Sequence, residues 1–231
     1  MNYVNFERIM SATRMNRYLI ACGSNSRKAM TLYRKNLHLS QELFTVISCF
    51  EVALRNSINR HYSSLYGNSW LRDSISTNGI FNNLNCRRAK EVIVKALTKL
   101  SNYYTHSKLL AEMDFGFWRY LFAQPQYLAG GQTLLRIFPS KPTSSQATQY
   151  NHTFVFNQLE QINTLRNRIA HHEPVCFLPG QPVINTIYAR QQYNRILQLF
   201  QWMNIDECSL LYGLDHITAV CNEIDFIEMS L

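Results

Sequence analysis

Apolar residues recur along most of this chain with helical spacing. The clearest stripe is Leu43, Ile47, Phe50, Leu54, Ile58, Tyr62 and Leu65, whose steps of three and four residues share one side of a helix. Ser40 offers an N-cap, Glu42 falls in the first turn and Gly67 offers a left-handed C-terminal residue, so a helix is predicted over about 40–66. Before it, residues 4–22 and 26–36 carry basic amphipathic patterns separated by Gly23-Ser24-Asn25. After it, residues 68–83 read as a polar loop. The pattern over 85–100 predicts a helix with Val92, Ile93, Ala96, Leu97 and Leu100 inward and Arg87, Arg88, Lys90, Lys95 and Lys99 outward.

A short helix is predicted over 107–123. It holds MDFGFWRYLF, and the aromatics Phe115, Phe117 and Trp118 at helical spacing are expected in the core. A long loop is expected over about 124–150, with Pro125, Gly130-Gly131, Pro139 and Pro142. The next helix, 151–172, keeps Val155, Leu159, Ile162, Leu165 and Ile169 in register. Glu173-Pro174 stops it, because proline disfavours the helical conformation of the residue before it. A Pro/Gly loop over 174–182 leads to a helix over 183–203 (Ile184, Ile187, Tyr188, Ile196, Leu199, Phe200, Met203), and then to an acidic, partly helical tail over 206–231. No strand-period alternation and no repeat interrupts this pattern. The expectation is an all-α helical bundle in a single domain spanning 1–231.

Composition agrees. Eight glycines and six prolines in 231 residues are too few for a many-turned β architecture. With 46% hydrophobic and 16% charged residues the chain can bury a core. Glu7 and Arg8 interrupt MNYVNFERIM before an apolar run develops, so no signal peptide is expected. The strongly apolar stretch Leu43–Phe50 is far shorter than a membrane span, so a cytoplasmic protein away from membranes is expected. Six cysteines (22, 49, 86, 176, 208, 221) form no CxxC pair and read as reduced core thiols. The net charge of +8 is uneven. Residues 1–110 hold 16 basic and 5 acidic side chains (+11), and residues 111–231 hold 7 and 10 (−3). A basic half rich in aromatics suits a polyanion such as RNA, although basic charge also simply keeps a protein soluble.

Candidate chemistry concentrates in RNRIAHHEP, residues 166–174. Asn167 and His171 are four residues apart and share a helix face. Arg166 lies about 140° of helical rotation from His171, within reach of its long side chain where the helix frays. The helix C-terminus favours a protonated imidazole. A titratable acid/base, a permanent cation and an orienting amide are the parts that metal-free RNA cleavage needs. The same residues also suit a helix cap and a solvated surface. A metal site at His171, His172, Glu173 and Cys176 is disfavoured, because adjacent histidines on a helix point apart, and no metal or other cofactor is expected. A second segment, Glu51 to His61, repeats the Arg55-Asn56 pair and leads to a histidine. Glu51 and Arg55 have the favourable spacing for an ion pair. They read either as a salt bridge at the core edge or as support for the first segment. Arg60, His61 and Arg168 are candidate RNA contacts.

These residues carry a resemblance. Arg166-Asn167-x-x-x-His171 resembles the R-(N/D/H)-xxx-H signature of HEPN domains. RNRIAHHEP, the upstream FEVALRNSI and the central FGFWRYLF, three blocks in order between residues 50 and 174, resemble the Abi-like proteins of bacterial abortive infection. The resemblance implies a HEPN-like helical bundle with extra N-terminal and C-terminal helices. It implies a metal-independent endoribonuclease of phage defence or toxin–antitoxin systems, in the bacterial cytoplasm. Arg166 and His171 would be catalytic, with Asn167 as the polar residue of the motif; from the residues themselves, His172, Glu173, Glu51, Arg55 and Asn56 are candidates for support. The site would form across a homodimer or higher homo-oligomer, with RNA as substrate and an antitoxin protein or small regulatory RNA as inhibitor. His172 offers a second arginine-to-histidine spacing one residue longer. The Arg55-to-His61 spacing is also one residue longer than the signature, which argues against a second catalytic centre there. A non-catalytic RNA-binding or sensing module is the alternative reading of the same residues.

Overall fold

The computed structural model describes residues 1–229. Among them it is all-α, as the periodicity requires, with one antiparallel bridge between Phe177 and Ile184 and no strand. The chain forms two compact units, Met1–Ser48 with Thr164–Leu197 and Cys208–Leu231, and Cys49–Asn163 with Gln198–Glu207. Three long helices run through both: α3 (Ser26–Tyr66), α9 (His152–Ala170) and α10 (Ile187–Trp202).

The first unit begins with α1 (Tyr3–Met10) and α2 (Ala12–Ala21). The helix expected over 4–22 is divided, because Ser11 sits at φ +76° and its side chain caps α2 by accepting the Arg14 N–H. After Gly23 and Ser24, both at positive φ, Asn25 caps α3 through the Lys28 N–H. The break expected before Ser40 is absent and α3 continues for 41 residues. Nothing in Asn36-Leu37-His38-Leu39 stops a helix, and Asn36 and Leu39 are both buried. Length and composition alone would let α3 cross a bilayer. Its stripe from Leu43 to Tyr62 is instead buried in the protein, and only Leu65, expected inward, is exposed. Tyr18 packs against Tyr33 and Phe177 at ring-centroid distances of 5.1 and 5.0 Å. The acidic tail forms α11 (Glu207–Leu210) and α12 (Ile217–Met229). Lys35 pairs with Glu223, Arg190 with Asp225, and the buried Glu42 accepts the His216 N–H at the start of α12. Part of the basic charge is therefore met by the chain itself.

The second unit is centred on Phe50, which meets Phe200 edge-on at 5.2 Å and Phe115 at 6.2 Å. Gly67, at φ +87°, ends α3 as expected, its N–H bonding to Ser63. The loop expected over 68–83 contains α4 (Trp70–Asp73), which buries Trp70 and Leu71. α5 (Arg87–Leu100) buries Ala89, Ile93 and Ala96, whereas Val92, expected inward, is 38% exposed. The predicted helix 107–123 is two, α6 (His106–Glu112) and α7 (Phe115–Tyr120), because the Asp114 carboxylate caps α7 through the Phe117 N–H at 2.7 Å. Phe115, Phe117 and Trp118 are core residues. The long loop holds α8 (Gln124–Ala129) and a 3-10 turn at Leu134–Ile137, so only its second half is irregular. Ile187, expected inward, begins α10 exposed. Cys208 is exposed and Cys49 half-buried, unlike the other four cysteines, which are buried as expected.

Candidate active site

The site residues of RNRIAHHEP lie in the first unit, where α9 ends. Leu165 is fully buried, which fixes the rotation of the helix and turns Asn167 to the surface. The helix closes with a left-handed cap. The His172 N–H bonds to Ile169 O at 2.9 Å, the Glu173 N–H bonds to Arg168 O at 2.8 Å, and His172 stands at φ +57°. Glycine usually occupies that position, because a Cβ is strained there. His172→Gly is expected to raise stability by roughly 0.5–1 kcal/mol, read as a higher thermal midpoint. An unchanged or lower midpoint would show that the imidazole compensates for its own backbone.

His171, His172 and Glu173 are all exposed on this cap. Arg166 is half-buried, and its Nε is shut from solvent and has no hydrogen-bond partner among the described residues. Among the described residues no hydrogen bond joins Arg166 to His171. Arg168 uses its donors within the turn, on Glu173 at 3.3 Å and the Pro174 carbonyl at 2.7 Å, and its guanidinium lies 4.8 Å from the Tyr188 ring centroid. That geometry makes Arg168 a fastening of the cap. Cys176 is buried, and burial pushes its thiol far above the ordinary range. Among the described residues no three His, Cys, Asp or Glu side chains stand together as metal ligands.

The structure adds two residues that the sequence did not single out. A cleft of about 350 Å³ opens beside the cap, with Arg14 and Arg17 of α2 facing His171, His172 and Glu173. Arg14 donates to the His172 carbonyl at 2.7 Å. Arg17 donates to the Gln181 carbonyl at 2.7 Å and lies 4.7 Å from the Phe177 ring centroid. Arg14 thereby complements the negative end of α9, and both arginines line the cleft. Their spacing of three on a basic helix was the available signal, but the tertiary fold alone brings them to the histidines.

The Glu51–His61 segment lies in the second unit, on α3. Glu51 and Arg55 are half-buried, and Asn56 and Arg60 are exposed. Arg60 bonds to Ser57 Oγ at 2.9 Å. His61 Nε2 bonds to Thr133 Oγ1 at 2.8 Å, and burial, aided by Arg136, pushes its imidazole below the ordinary value. Nearby in the sequence, Asn59 Oδ1 accepts from Trp70 Nε1 and pairs with His106 Nε2, each at 2.9 Å. Burial and then Arg72 lower the His106 imidazole too, against the opposing pull of Asp73. For both histidines the unfolded chain therefore takes up protons first. Their contribution to stability is present above the unfolded value of about 6.5 and is lost as pH falls below it. Urea midpoints are expected to drop between pH 7.5 and 5.5, and His106→Gln should flatten that drop. Parallel slopes for wild type and variant would show that His106 does not contribute.

No curated protein and no solved structure gives a significant match to the chain. The sequence profile of the Abi-like proteins matches residues 2–176, from α1 through the whole cap of α9. With that match over most of its length, the chain belongs to the Abi-like (abortive-infection) protein family.

Proposed function

We propose that this protein is a metal-independent endoribonuclease that acts as an effector in abortive-infection defence, with Arg166 and His171 in a composite site between two copies of the chain. The observation that carries the reading is the exposed imidazole of His171 on a fixed helix cap, five residues after Arg166 and facing Arg14 and Arg17 across a cleft. One imidazole takes the proton of a ribose 2′-hydroxyl. The 2′-oxygen attacks phosphorus, and the bond to the 5′-oxygen breaks as a second imidazole protonates it. The products are a 2′,3′-cyclic phosphate and a 5′-hydroxyl. Arg166 stabilises the charge on the crowded phosphate. A second copy supplies the second His171, and Arg166 and His171 of one chain need not touch. Asn167 orients the motif, and His172 and Glu173 support it. The reading places the protein in the bacterial cytoplasm, silenced by an antitoxin protein or small RNA until infection.

The test is RNA cleavage in EDTA by wild type, Arg166→Ala and His171→Ala. Cleavage by wild type alone supports the reading. Equal cleavage by all three removes both residues from the site. Salt-dependent RNA binding by wild type without cleavage favours the second reading, a sensing module in which Arg14, Arg17 and Arg166 hold phosphate.

A further inference from the structure

We infer that the second unit carries its own binding surface for single-stranded RNA, built from the outer face of α5 and the turn into α6. The inference rests on the proposal that RNA is the substrate, but it concerns residues outside the Arg166–His171 cap. Ala89, Ile93 and Ala96 bury the inner side of α5. Arg88, Lys95 and Lys99 then fall within about 40° of one another on the outer side, and all three are exposed. Past α5, Ser101 at φ +45° turns the chain so that Tyr103 stands 77% exposed. Thr105 caps α6 by accepting the Lys108 N–H, and the Lys108 ammonium lies 5.6 Å from the Tyr103 ring centroid. Lys99, Tyr103 and Lys108 thus line one open cleft of about 300 Å³.

The charges on this face do not cancel. Glu91 pairs with Arg87, and Glu112, also in the cleft, pairs with Lys99 at 2.6 Å. The Lys99 side chain is 69% exposed, so that pair is screened and readily exchanged for a phosphate. Lys95 has no partner among the described residues. An exposed aromatic ring between flexible cations is the arrangement that stacks an unpaired base while its phosphates are neutralised. Duplex RNA offers no unstacked base to Tyr103.

The experiment uses the full chain and a short, labelled, fully 2′-O-methylated oligouridylate, which binds but lacks the attacking hydroxyl. Fluorescence anisotropy over a salt series is read for wild type, for the triple variant Lys95→Gln/Lys99→Gln/Lys108→Gln, for Tyr103→Ala and for Arg166→Ala. The triple variant is expected to reduce the slope of log K against log salt by about 2, at about 0.7 per phosphate contact. Tyr103→Ala is expected to weaken binding about tenfold with the slope unchanged. Wild-type binding with both variants indistinguishable from it overturns the surface, as does absence of wild-type binding. Arg166→Ala separates the two ideas. If it binds normally and also cleaves ordinary RNA normally, the proposed catalytic site fails while this surface stands.

Discussion

His171→Ala is expected to lower metal-free RNA cleavage by roughly 10²–10⁴-fold, the range over which a positioned acid or base contributes. In the proposed composite site the loss would be compounded, because the one substitution would remove the imidazoles of both copies. Arg166→Ala is expected to cost about 10²–10³-fold, as loss of one well-placed donor to a developing anion does. Neither change should disturb folding much. His171 is exposed beyond the last turn of α9, and the buried Leu165 that fixes this turn is untouched. Thermal midpoints measured alongside the rates therefore tell catalysis from unfolding. Full activity in His171→Ala would remove the imidazoles from the chemistry.

Much of the fold was legible in the sequence wherever one local signal sufficed. The stripe from Leu43 to Tyr62 and the aromatics of FGFW are buried as their spacing requires, and Gly67 ends α3 at positive φ. Misreadings arose where a side chain changed the backbone locally. Ser11 and Asp114 each open a new helix inside a stretch whose apolar spacing looks unbroken. Both are ordinary capping residue types, so the signal was present but outweighed by periodicity. Ser40 was the converse. It looks like a cap, yet the helix continues through it because Asn36 and Leu39 on the preceding turn are already packed. In the candidate site, local sequence identified the residues at the end of α9 but not what faces them. Arg14 and His172 are 158 positions apart, and no local pattern predicts that hydrogen bond. Arg168, a candidate RNA contact in the sequence, directs donors to Glu173 and Pro174, five and six positions further on within the same turn.

Asn36, which no motif marks, is expected to give the largest loss of stability of the substitutions considered, about 2–4 kcal/mol for Asn36→Ala. Its side chain is nearly fully buried, and Oδ1 accepts two backbone N–H groups, Val175 at 2.8 Å and Cys176 at 3.2 Å. Val175 and Cys176 are themselves buried, so alanine leaves two donors without a partner where water does not reach. Each such group costs about 1–3 kcal/mol, whereas the side chain removed contributes little apolar burial. For a chain of this size the thermal midpoint should fall on the order of 5–15 °C. The two N–H groups lie directly after Pro174, so Asn36 fastens the chain on the far side of the cap that carries His171 and His172. Below the melting temperature, Asn36→Ala should therefore also lower the cleavage rate, by loosening the imidazole rather than removing it. Hydrogen exchange at Val175 and Cys176 reads the fastening directly. Fast exchange in the variant with protection elsewhere retained is the expected result, and unchanged protection with an unchanged midpoint would show that the turn holds without Asn36.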